Sequence, residues 1–312
     1  MANVVLNVRP GFVTDRERYL REAPPFSVAI DGYVRGGPWF DENGPRQNFN
    51  HHEDVPRLET RATCAQALLN VRQGFFDTFR DAHGPRVAVD ANDCDQDVAL
   101  TWFLFSTSSL ARTVSQPALN RLVGCVDLMD ATGGAYPFPE DAPILEEMAW
   151  IFDPYVRFRL SGEIDKMDAA SYRGIIEAVC RRIGDYVNGR GRSKPLELGY
   201  DTIGGGSGWI MVRETGGQAR TKMFADGIRA FVSVRETAHG SLVATFCRSG
   251  PHVRFPIQRI FARLNAEEPA DLRGAWGGGD TIGGNHRVRR TTHTLASLTR
   301  CVNEEIAASA TR

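Results

Sequence analysis

Two β-rich runs flank a long stretch of helical spacing, and this order limits what the chain can fold into more than any other feature. "FSVAIDGYV" (26–34) ends in a Gly36–Gly37 turn, and "RVAVDAND" (86–93) ends in a cluster of acids. Both read as buried strands whose C-terminal ends carry polar residues. Between them, "RLETRATCAQALLNVRQGFFDTFRDAHG" places Leu58, Ala62, Ala65, Leu68, Leu69, Phe75, Phe76 and Phe79 at helical spacing, with Pro56 suited to a first turn and Gly84 to a stop. Strand, helix, strand predicts a parallel α/β sheet, in which ligand sites collect beyond the carboxyl ends of the strands.

At 312 residues the chain exceeds the usual size of one core, so two domains are expected. Helices are predicted over Asp97 to Leu110, within "SQPALNRLVGCVDLMDATGG", and over roughly 143–160 and 168–188. The expected division is an α/β domain at 1–188, a Gly- and charge-rich linker at 189–197 and a smaller α+β domain at 198–312. The smaller domain carries three or four predicted strands, broken at Gly216–Gly217, Asp226–Gly227 and His239–Gly240, with helices near 256–266 and 292–308. Asp-Thr-Ile-Gly-Gly occurs twice, from Asp201 and from Asp280. So short a match marks either a duplication or two glycine turns that face the same space.

With 37 basic and 38 acidic side chains the formal charge is −1, which supplies no bulk attraction to nucleic acid or anionic lipid. The six cysteines form no C-x-x-C pair, so neither a zinc ribbon nor a disulfide scaffold is suggested. The N-terminal apolar run is too short for a signal-peptide core, and "VALTWFLF" (98–105) falls far short of the ~20 residues that span a bilayer. A soluble, cytoplasmic protein with reduced thiols is the expectation.

The chemistry concentrates in "DANDCDQD", where Asp90, Asp93, Asp95 and Asp97 fall at the end of a predicted buried strand. Burying such carboxylates unpaired costs roughly several kcal/mol per ion, a cost that a divalent cation relieves. Oxygen ligands with one or two imidazoles suit Mn²⁺, Mg²⁺ or Fe²⁺ better than structural zinc. The alternative is a solvated loop with one aspartate capping the next helix. An EF-hand is excluded, because the loop from Asp90 lacks the glycine at its sixth position and the glutamate at its twelfth. His51 and His52, in "FNHHE", are candidate partners at a strand end, with a plain surface loop as the alternative. Asp31 closes the first strand, and Asp127 and Asp130 sit before a glycine turn.

Taken together, "DGYVRGGPWFDENGPRQNFNHHE", "VAVDANDCDQDVALTWFLF", "VGCVDLMDA" and "GGGDTIGGNH" resemble the DHH/DHHA1 phosphoesterase superfamily, in patches covering about two thirds of the chain. That resemblance implies a parallel-sheet DHH-like domain holding two metal ions, usually Mn²⁺, and a smaller DHHA1-like α+β domain that closes over the substrate. It implies Asp31, His51, Asp95, Asp97 and Asp127 as metal ligands, with Asp130 as the alternate to Asp127 and Asp90 as an addition. His52 would face the substrate phosphate or protonate the leaving oxygen, and Asp95 shares the catalytic assignment. Gly277, Gly278, Gly279, His286 and Arg287 would bind the substrate, with Arg289 and Arg290 beside them. The chain departs from the family in four respects. Asn50 stands where the signature has aspartate, removing support from the metal-binding histidine. Asp90 lies five residues before Asp95, so the usual H-x-x-x-D-x-D lacks its histidine. Asp280 replaces the histidine after the glycines, and the His-His motif precedes the D-x-D motif.

The function this implies is two-metal hydrolysis of a phosphoester or phosphoanhydride, in a small nucleotide or phosphorylated metabolite rather than a long nucleic acid. Two other readings fit the departures: a metal-dependent enzyme acting on a non-phosphate metabolite, and a non-catalytic nucleotide-binding scaffold.

Overall fold

The computed structural model describes residues 2–113, 116–134, 136, 138–139, 141–237, 240–285 and 291–310. The chain divides into two units. One holds the residues up to Asp130 together with Pro143–Lys194, and the other holds Ala131–Ala142 and the chain from Pro195 onward.

In the first unit, strands β1 (Asn3–Val8), β2 (Ser27–Ile30), β3 (Trp39–Asp41), β4 (Arg46–Phe49), β5 (Arg80–Asp81) and β6 (Gly84–Ala91) form one sheet in the order β1-β6-β2-β4-β3, with β5 on the side of β6. Strands β1, β6, β2 and β4 run parallel, while β3 and β5 pair antiparallel. Successive side chains of a strand point to opposite faces. Val28 and Ile30 of β2 therefore enter the main core with Val89 and Phe49, whereas Ala29 packs with Tyr19, Tyr33 and Val34 on the other face. Helices α1 (Arg16–Glu22), α2 (Thr63–Arg72), α3 (Phe75–Thr78), α4 (Gln96–Ser106), α5 (Ser108–Thr113), α6 (Pro117–Ala131), α7 (Pro143–Ile151), α8 (Asp153–Leu160) and α9 (Ala169–Val187) complete this part of the chain. Leu68 of α2, Leu100 of α4 and Ile176 of α9 are buried in the main core.

Details of this unit differ from the sequence reading. The helix expected from Pro56 begins only at Thr63, because Pro56–Thr60 closes a turn in which the Glu59 and Thr60 amides both donate to the Pro56 carbonyl. The same run breaks at Gly74, whose φ of 101° is open to glycine and ends the helical path. Strand β1 escaped notice because it lies at the sheet edge and buries only Leu6 fully, so its apolar pattern is weak.

The second unit is built on a sheet ordered β11-β12-β10-β9-β8-β7. Its strands are β7 (Tyr200–Gly206), β8 (Trp209–Glu214), β9 (Ala230–Glu236), β10 (Leu242–Arg248), β11 (Trp276–Gly278) and β12 (Ile282–Asn285). Helices α10 (Ala219–Ala225), α11 (Ile257–Glu267) and α12 (Leu295–Ala310) accompany it, and Trp209, Phe246, Phe261 and Leu298 lie in its core. After the expected break at Gly216–Gly217 the chain does not turn straight into another strand: α10 carries it across, so β8 and β9 run parallel. The two Asp-Thr-Ile-Gly-Gly copies fall on β7 and run into β12, far apart in the strand order, and so do not face one space as turns. The glycines of β11 and β12 permit close strand pairing. A Cβ on Gly278 would lie 2.4 Å from the Gly283 Cα, and one on Gly284 would lie 2.1 Å from the Ala244 carbonyl oxygen.

Candidate metal centre

Parallel pairing brings the polar strand ends together. Ile30 of β2 lies opposite Phe49 of β4, so Asp31 and the segment Asn50–His52 emerge from the same end of the sheet. Asp31 takes a left-handed φ of 52°, and its amide donates to the Phe49 carbonyl at 2.9 Å. Such a conformation is unfavourable for a residue with a Cβ and persists where the surroundings hold it. Strand β6, next to β2, leads into the start of α4 and delivers Asp97, and the end of α6 delivers Asp130.

Asn50 shapes the histidine turn. Fully buried, it accepts at Oδ1 from the His51 and His52 amides at 2.8 and 3.0 Å. Its Nδ2 donates to the Val34 and Gly36 carbonyls and to Glu53 Oε2, at 3.1, 2.8 and 3.1 Å. A carboxylate has no proton for these three acceptors, so an amide is the side chain this position requires. Asn50 therefore acts on the backbone of the pair rather than on either ring.

His51 is completely buried, and its Nε2 lies 2.8 Å from Asp130 Oδ2, 3.5 Å from Asp31 Oδ1 and 3.7 Å from Asp97 Oδ2. Despite the short distance, Nε2 and Asp130 Oδ2 are not aligned as a hydrogen bond, and both atoms, with His51 Nδ1, are buried without a hydrogen-bond partner among the described residues. Buried polar atoms left in this state are costly, and one imidazole nitrogen among three carboxylates is a donor set that suits a divalent cation. Asp31, His51, Asp97 and Asp130 place one ligand atom each within 4.8 Å of one another; Asp31, His51 and His52 do the same. The bare Nδ1 departs from common metal-bound histidines, whose second nitrogen usually donates to an oxygen.

The protonation of the site follows from crowding. Burial and the neighbouring Asp31 and Asp130 push the Asp97 carboxyl up to about 7. For His51, burial and Arg57 favour the neutral ring, but Asp130 and Asp31 outweigh them and raise it to about 9. Burial opposes ionisation of Asp130, yet Arg57 and His51 bring it down to about 2. Asp31 also sits well below the ordinary carboxylate range: burial acts against this, and the two histidines overcome it. A proton on His51 thus occupies the place where a cation would bring positive charge.

The remaining candidates have other partners. Asp127 accepts from the Ala62 amide at 2.6 Å and pairs with Arg61 at 3.2 Å. It caps α2, while Asp130, one turn on, faces the cluster. Asp97 serves both purposes, since its two oxygens also accept from the Thr63 and Cys64 amides at 2.7 Å. Asp95 caps α4 through the Val98 amide at 3.0 Å. Burial and the nearby Asp31, Asp93, Asp130 and Asp97 push its carboxyl well up, although it contributes no atom to either group of ligands. Asp90 accepts from Asn7 Nδ2 at 2.9 Å and from the Tyr19 hydroxyl at 2.7 Å, which places it with α1 rather than in the cluster. Gly277 and Gly278 lie on β11 of the second unit, and the Gly278 and Gly279 carbonyls accept from Gln258. His286, Arg287, Arg289 and Arg290 lie outside the described residues.

The sequence reading missed Arg57, which is 1% exposed. It donates to the Asp130 carbonyl at 3.1 Å, to Asp130 Oδ1 at 3.0 Å and to His52 Nδ1 at 3.2 Å. Following Pro56 in a polar turn, it carries no local sign of burial. The only available signal was the surplus of acids, which a buried cationic side chain helps to balance. No protein-family model matches the chain, and no curated protein matches it in sequence.

Proposed function

We propose that the protein is a metal-dependent hydrolase of a phosphoester or phosphoanhydride in a small nucleotide or phosphorylated metabolite. The observation that carries this reading is His51 Nε2, buried among Asp31, Asp97 and Asp130 with no aligned hydrogen bond. These four residues would hold the ion, with Mn²⁺ first and Mg²⁺ or Fe²⁺ as the other candidates. A bound divalent ion would supply Lewis-acid polarisation and a water of lowered pKa. His52, 28% exposed at its side chain, would turn its Nε2–H from Asp31 to a substrate oxygen at the rim of the cluster. Asp95 would retain a proton to higher pH than an ordinary carboxyl, as suits a group that protonates a leaving oxygen. Preference for phosphate over another ester rests on the DHH-like resemblance of the His51–His52 and Asp95/Asp97 motifs.

The test is elemental analysis of protein loaded with Mn²⁺, followed by turnover of nucleotides, short oligonucleotides, pyrophosphate and phosphorylated metabolites. Bound metal and hydrolysis of one member of that panel are expected. Protein that takes up no divalent metal overturns the metal reading, and metal-loaded protein that leaves the whole panel intact overturns the phosphoesterase reading.

A further inference from the structure

Arg57 and His52 meet in a way that decides the state of the second histidine. A guanidinium has only donors, so the 3.2 Å contact between Arg57 Nη1 and His52 Nδ1 requires that nitrogen to accept. A neutral imidazole carries one proton, which must then sit on Nε2, where Asp31 Oδ1 lies 2.5 Å away as its acceptor. We infer that Arg57 is a positioning residue that locks His52 in its Nε2–H form and so makes it a hydrogen-bond donor rather than a metal ligand. This rests on the metal-dependent reading of the same site and assigns its two histidines different work.

For His52 Nε2 to bind a cation, its proton would have to move to Nδ1, directly against an N–H of Arg57. Arg57 has little room to yield. It is almost fully buried, and its other nitrogens are engaged by the carbonyl and the carboxylate of Asp130. The ion therefore belongs to Asp31, His51, Asp97 and Asp130, and the triple containing His52 lacks one of its ligands. One guanidinium orients both a ligand carboxylate and the neighbouring donor ring, which couples the two parts of the site.

Ring-nitrogen NMR of ¹⁵N-labelled full-length protein, metal-free and loaded with ¹¹³Cd²⁺, tests this directly, with His52→Gln used to assign the rings. The expected result is a protonated Nε2 and an unprotonated Nδ1 for His52 in both states, with cadmium coupling to the His51 ring alone. Arg57→Met should change the His52 tautomer ratio by about tenfold or more, the size expected for losing a charged hydrogen bond. A protonated Nδ1 in the wild type, cadmium coupling to both rings, or an unchanged ratio in a folded Arg57→Met protein overturns the inference. Should that variant fail to fold, the wild-type spectra decide alone. Protein that binds no cadmium yet shows the expected His52 tautomer removes the metal reading and leaves the Arg57 lock standing.

Discussion

Asn50 shows how one side chain can be specified by its acceptors. Because its Nδ2 faces two carbonyls and Glu53, Asn50→Asp would place a carboxylate oxygen against three acceptors. The expected cost is about 1–3 kcal/mol in urea unfolding, with metal uptake kept by the protein that remains folded. A variant as stable as the wild type would contradict this role. His51→Ala is expected to abolish stoichiometric metal binding, whereas His52→Ala should retain the metal and lose turnover; equal loss of metal in both would refute the division between them.

At the scale of elements, α2 depends on residues remote in sequence. Its N-cap residue, Ala62, has no side chain to cap it, and its first turn holds no acid. The amides of Ala62, Thr63 and Cys64 are instead satisfied by Asp127 from α6 and Asp97 from α4. Asp127→Ala should therefore destabilise the fold by about 1 kcal/mol, as for loss of an N-cap, and leave metal stoichiometry unchanged. Asp130→Asn should do the reverse at the metal, weakening binding at least about tenfold. Calorimetric titration with Mn²⁺ on both variants would expose a wrong assignment, because metal loss in Asp127→Ala would make that residue a ligand. Aspartates three apart on a helix share a face, so the family resemblance left Asp127 and Asp130 as alternates.

For the whole molecule, the cluster ties stability to pH and to metal. His51 is raised above its ordinary 6.5 to about 9, so the stability it contributes is complete below 6.5 and lost as pH rises through 9. Asp97 is raised from 3.8 to about 7, so its neutral form favours the fold below 3.8 and that contribution is lost as pH rises through 7. Both shifts act in one direction, and metal-free protein should lose stability between pH 6 and 9. A cation replaces the His51 proton, so apparent affinity should climb roughly tenfold per pH unit between 7 and 9 and more steeply below 7. At a thousandfold excess over the dissociation constant, bound metal adds about 4 kcal/mol. Thermal melts across this range, with and without Mn²⁺, check both slopes; a metal-free melting temperature that is flat or rises from pH 6 to 9 would refute the assigned protonation. No helix of the described residues is long and apolar enough to cross a membrane.

The sequence by itself determined that two β-rich runs with a helical stretch between them lie in a largely parallel sheet, because hydrophobic period is a local property. It also placed Asp31, His51 and Asp97 at element ends, where acids and histidines can gather. Tertiary structure decided which polar groups turn toward one another: Asp130 rather than Asp127 at the cluster, Asp90 with Tyr19 instead, and Arg57 beneath His52. Those choices depend on which donors and acceptors packing leaves unsatisfied, and that accounting exists only once the strands and helices are in place.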